Sequence, residues 1–186
     1  MAENAHCFEQ PHWRVIARGL QPEDWFENDI GTGTGGIKMP RPVDLPPAHR
    51  YYRFASSTTS KDAQVGGGWW MEFEAFNHIN QYAKRNNLPL SNVARLLLAL
   101  PYDWTRVDRL VSAILEVPLK AYSGYGNVAD GNPNMPNNRW TPPEYNPIRQ
   151  LYIPGLYIRG QRPPHLYERA FPKPLFEFIH GNRRPV

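Results

Sequence analysis

Residues 50–85 read RYYRFASSTTSKDAQVGGGWWMEFEAFNHINQYAKR, and their order sets the fold class. Residues 50–56 form a short aromatic run, which predicts a strand. Polar residues 57–64 follow, then Gly66, Gly67 and Gly68, then Trp69 and Trp70. This pattern predicts a second strand over 68–71 that gives way to a helix. Within 72–85, Phe73, Phe76, Ile79 and Ala83 recur near one helical face with Tyr82 beside them, the period of an amphipathic helix.

Downstream, Ser91 is placed to cap a helix that runs to Leu100 and stops at Pro101. Thr105 and Asp108 resemble a capping box with Asp in place of Glu or Gln. Val107, Leu110, Val111, Ile114 and Leu115 then repeat as a core helix would. A helical insertion over about 72–116 is expected. Residues 120–147 read as loop, being rich in Gly and Pro, whereas 148–153 (IRQLYI) is a clear strand and 156–158 a further one.

Upstream, 22–49 holds Gly31, Gly33, Gly35 and Gly36 and then Pro40, Pro42, Pro46 and Pro47, which predicts a long irregular loop. Residues 13–17 (WRVIA) read as a short strand. The tail, 159–186, is proline-rich yet keeps Leu166, Tyr167, Phe171, Leu175, Phe176, Phe178 and Ile179, so it is expected to pack. Strand, helices, then strands predicts one α+β domain over 1–186, with a split mixed or antiparallel β core.

At 186 residues the chain can bury a core without staples. Its 20 prolines imply ordered but irregular backbone, and its 13% aromatic content supplies large buried or stacking surfaces. The net charge is +4, and the lysines number only Lys38, Lys61, Lys84, Lys120 and Lys173, so arginine carries most of the cationic charge. Arginine's planar fork favours oxyanions such as phosphates. Cys7 is the only cysteine, which excludes an internal disulfide. Residues 1–10 lack a signal-peptide apolar region, and no run approaches the roughly 18 apolar residues of a membrane span. These features predict a soluble protein with no membrane role, cytoplasmic or exported without a cleaved signal.

Several familiar chemistries have no support. Gly31, Gly33 and Gly36 fit GxGxxG, but Pro40 and Pro42 forbid the helix that a dinucleotide fingerprint needs. No GxxxxGK[ST] or GxSxG occurs. The six histidines are scattered and form no HExxH, so no metal is expected. Glu72 and Glu74 read as solvated charges in a helix's first turn. The basic, aromatic tail would suit a nucleic acid but lacks a reader motif.

Three segments together resemble the ADP-ribosyltransferase superfamily, which includes many bacterial toxin domains. Tyr52-Arg53-Phe54 resembles its aromatic-Arg strand. Gly67-Gly68-Trp69-Trp70, followed after eleven residues by Tyr82-Ala83, resembles its glycine-aromatic strand and the helix behind it. Arg149 to Gly155 resembles its late strand, where the family's catalytic glutamate is replaced by Gln150. The Ser or Thr usual in the second segment is also absent: Trp70 and Met71 stand there.

The resemblance implies an ADP-ribosyltransferase-like fold with NAD as co-substrate. Arg53 and Tyr52 with Trp69, Trp70 and Tyr82 would bind NAD, and Gln150 or the nearest acid, Glu144, would act with Arg53 in catalysis. The products would come from ADP-ribosyl transfer to a protein or nucleic acid, or from NAD hydrolysis. A bacterial toxin or effector role and a cognate inhibitor protein are further implications. The alternatives are a non-enzymatic protein-interaction module and a basic nucleic-acid-binding domain.

Overall fold

Two antiparallel sheets meet within residues 50–85. A computed structural model of the chain describes residues 1–19, 34–132, 134–135, 137–156 and 176–182. A four-stranded sheet has the order β1 (Ile37–Leu45), β5 (Leu119–Gly126), β8 (Arg149–Tyr152), β3 (Trp69–Trp70). A three-stranded sheet has the order β2 (Arg50–Ala55), β4 (Arg109–Leu115), β9 (Phe176–Asn182). Every strand pairing in the two is antiparallel. A small hairpin joins β6 (Ala129–Asp130) to β7 (Arg139–Trp140).

The sheets are sewn together where β2 meets β3. Tyr52 and Met71 exchange both backbone hydrogen bonds, each 2.8 Å. Alternation along the strands then sorts the side chains. Tyr51 and Ala55 of β2, Val111, Ala113 and Leu115 of β4, Ala121 of β5, Leu151 of β8 and Trp70 of β3 share one buried cluster between the sheets. The opposite side of β2, through Tyr52 and Phe54, packs on α3 (Phe73–Arg85) and α4 (Leu90–Leu98) together with Ile79, Ala83, Val93 and Leu97. The outer side of the larger sheet, through Tyr122 and Tyr152, is covered by Cys7 and by Trp13 and Ala17 of α1 (Pro11–Ala17).

The α+β class holds, the β core is antiparallel, and 50–85 runs β2, a short unexpected helix α2 (Lys61–Gly66), β3 and α3. Several expectations are corrected. Residues 13–17 are helical, begun by Pro11 in the first turn where its missing N–H costs nothing. The expected irregular loop over 22–49 contains β1, a nine-residue strand with a bulge between Lys38 and Arg41. As an edge strand it tolerates Pro40 and Pro42.

The expected helical insertion over 72–116 ends at Leu98: Val107 to Leu115 leads into and forms strand β4 rather than a third helix. Ser91 lies inside α4, buried, and Pro89 takes the cap position. Part of the expected loop over 120–147 is strand β5. In the tail, Phe176–Asn182 pairs with β4. The readings of 20–33 (Gly31 and Gly33 included), 157–175 and 183–186 fall outside the described residues. Among the described residues no helix is long and apolar enough to cross a membrane.

Candidate anion site at the seam of the two sheets

Arg53 lies on the inner face of β2, between Tyr51 and Ala55, so its side chain enters the space between the sheets. Its guanidinium carbon stands 5.5 Å from the Trp70 ring centroid. The neighbouring backbone is glycine for a spatial reason: a Cβ on Gly67 would collide with Nη1 of Arg53. Trp70 is fixed in turn by an Nε1–H donated to the Gly67 carbonyl at 2.6 Å. One backbone segment therefore seats both the cation and the ring beside it.

Nε and Nη1 of Arg53 are buried and have no hydrogen-bond partner among the described residues. Burial pushes the guanidinium down to about 10 from its ordinary 12.5. A buried cation with orphaned donors is costly, because the charge loses its water and gains no acceptor. Such a group calls for an acceptor, such as an ordered water or an anion.

Arg109 adds to this. It pairs directly with Ala55 across the ladder, so it shares the inner face and is the diagonal neighbour of Arg53. Its Nε is likewise buried without a partner. Across the sheets, Trp70 pairs with Leu151 and Leu151 with Ser123. At that end Arg149 is exposed, donating to Ser123 Oγ at 3.4 Å with its guanidinium 4.7 Å above the Tyr125 ring.

The residues expected from the sequence to form a site separate into several places. Arg53 and Trp70 come together. Tyr52 points to the other side of β2 and stacks on Phe76 at 4.8 Å, with 10° between the rings. Trp69 packs on Tyr152 at 4.8 Å on the outer face of the larger sheet. Tyr82 is 40% exposed on α3, where it lines a surface cavity of about 320 Å³ with Phe73, His78 and Arg85.

Gln150 sits one residue off the inner face of β8, donating from Nε2 to the Leu98 carbonyl at 3.3 Å. Glu144 is exposed before β8. Sequence reasoning gave neither Arg109 nor Arg149 a site role. Arg109 sits on the inner face of β4, and its signal was a charged residue opening a largely apolar strand, whereas Arg149 is exposed at the start of β8. Among the described residues no group of three or more His, Cys, Asp and Glu is arranged to hold a metal.

No family model and no curated protein matches the sequence. The solved structure of Tne2 in complex with Tni2 is similar, with a TM-score of 0.41 at 12% identity over 77% of this chain and 89% of that one. A superposition this loose assigns neither a fold family nor an activity.

Proposed function

We propose that this protein consumes NAD, by ADP-ribosyl transfer or by hydrolysis, in the manner of the toxin-like ADP-ribosyltransferases that its motifs resemble. The observation that carries this is Arg53: a buried guanidinium with two orphaned nitrogens at the junction of two sheets. It stands in the strand whose Tyr52-Arg53-Phe54 resembles the family's NAD-anchoring segment. The pyrophosphate of NAD supplies the missing acceptor, and the charge-assisted bonds formed are about twice as strong as neutral ones.

Cleavage of the nicotinamide–ribose bond builds oxocarbenium character, which a carboxylate stabilises. The resemblance leaves that part to Gln150, whose amide donates to the Leu98 carbonyl and carries no charge, or to Glu144, the nearest acid in the sequence. Trp70 walls the site beside Arg53. The acceptor is a protein side chain, a nucleic acid or water.

The test is nicotinamide release from NAD by purified protein beside Arg53→Ala. Wild type is expected to release nicotinamide, and the variant to lose release while keeping its far-UV spectrum. Undiminished turnover in Arg53→Ala refutes the proposal.

A second function, docking of a protein partner on α3, is favoured by Phe73 at 51% and Tyr82 at 40% exposure at the two edges of the surface cavity on that helix. Under it, Phe73→Ala and Tyr82→Ala abolish partner binding and Arg53→Ala does not.

A further inference from the structure

Two cations on one face of a ladder are a liability without a counterion. Arg53 and Arg109 are diagonal neighbours on β2 and β4, which places the two residues about 7–8 Å apart. Both carry buried donors without acceptors among the described residues. Like charges so placed repel and lower stability, while each unpaired donor adds its own desolvation cost. The other inner-face residues of the two strands are Tyr51, Ala55, Val111, Ala113 and Leu115, and none of them carries charge.

We infer that Arg109 is a second anion ligand beside Arg53, and that the pair forms a site built for a diphosphate rather than a single phosphate. The inference rests on the NAD proposal for its biological ligand and on the ladder geometry for its chemistry. One phosphate group meets the fork of Arg53 and the next meets Arg109, so a diphosphate satisfies both guanidiniums at once. A single phosphate engages one fork and leaves the other orphaned. Arg109 is a direct ligand here: it fixes where the second phosphate lies and hence the direction in which the rest of a nucleotide leaves the seam.

The experiment uses the whole chain with inorganic pyrophosphate and inorganic phosphate as probes, by calorimetry, on wild type, Arg53→Gln and Arg109→Gln. Wild type is expected to bind pyrophosphate more tightly than phosphate. Arg109→Gln should weaken pyrophosphate about ten- to hundredfold while phosphate binding changes little. Arg53→Gln should weaken both. Arg109→Gln should also melt at or above the wild-type temperature without ligand, because a repulsion is removed.

Unaltered pyrophosphate affinity in Arg109→Gln overturns the inference, as does a lower melting temperature, which would make Arg109 a structural cation. If Arg53→Ala stops nicotinamide release while Arg109→Gln binds pyrophosphate normally, the second ligand is wrong and NAD consumption stands. If wild type releases no nicotinamide yet the pyrophosphate pattern holds, the diphosphate site stands and NAD consumption is wrong.

Discussion

Replacing Arg95 with Met removes the most heavily used buried cation among the described residues. Arg95 is 4% exposed on α4. Its Nη1 donates to the carbonyls of Leu100 and Pro101 at 3.1 and 3.2 Å. Its Nη2 donates to those of Thr105 and Arg106, both at 2.8 Å. The guanidinium also lies 4.2 Å from the Tyr102 ring centroid.

Hydrogen bonds to a charged group contribute about 1.5–3 kcal/mol each, so four would sum to more than one substitution usually costs. Against that, taking the cation out of water costs several kcal/mol, which the substitution returns. The net expectation is a loss of about 3–5 kcal/mol, or roughly 6–20 °C in Tm for a chain of this size. Met keeps the apolar stem, so the loss reports the four carbonyls and not a cavity.

Urea unfolding followed by tryptophan fluorescence and far-UV circular dichroism measures it, with an unchanged m value as the sign that the native state stays compact. Arg95→Lys should recover less than half, because an ammonium cannot span four carbonyls with a planar fork. A loss under about 1 kcal/mol in Arg95→Met would refute the reasoning. The staple also bears on the seam, since Thr105 and Arg106 lie just upstream of the strand that carries Arg109, separated from it by Val107 and Asp108, and Ser56 Oγ accepts from the Arg106 N–H at 2.9 Å.

Asn4, fully buried, accepts from the Lys120 N–H at 2.8 Å and donates to the carbonyls of Lys120 and Pro154 at 2.9 and 3.1 Å. Asn4→Ala should therefore cost about 2–3 kcal/mol by urea unfolding. Alkaline pH should destabilise the fold in steps: burial holds the Cys7 thiol at about 11 rather than 9.0, and the Tyr51 phenol at about 12 rather than 10.0, the latter also through Glu72. Both groups keep their protons in the folded state and lose them in the unfolded one. Their stabilisation is whole below the unfolded values and is lost as pH rises, beginning near 9 with Cys7. Cys7→Ala should flatten the pH 9–10 part of the Tm profile, and an unchanged profile would remove Cys7 from the account.

α3 was legible because it buries one side, so its period of about 3.6 survives in the residue order. β2 buries both faces, Tyr51 and Ala55 between the sheets and Tyr52 and Phe54 on the helices, and was legible from its β-prone aromatic run. β4 offered no such cue. Leu110 packs toward the helices while Val111, Ala113 and Leu115 pack between the sheets, and Ile114 is half-buried. A strand apolar on both faces shows no alternation, and Val107, Leu110, Val111, Ile114 and Leu115 then imitate a helical stripe.

β5 was hidden by Gly124 and Gly126, which read as turn residues. They are small because the Lys38 carbonyl approaches one and the Gln150 side chain the other. β1 was hidden by prolines that only an edge strand accepts. At the candidate site, Arg53 and Trp70 were legible through local motif order. The positions of Gln150, Tyr82, Arg109 and Arg149 depend on strand register and on which face each strand turns inward, and those are set by tertiary pairing.

Calorimetric titration of NAD into wild type and Arg53→Ala tests the central claim most directly. Binding by wild type that disappears in a folded Arg53→Ala is the predicted result. Equal binding by both proteins, or none by wild type, would contradict a seam site completed by a pyrophosphate.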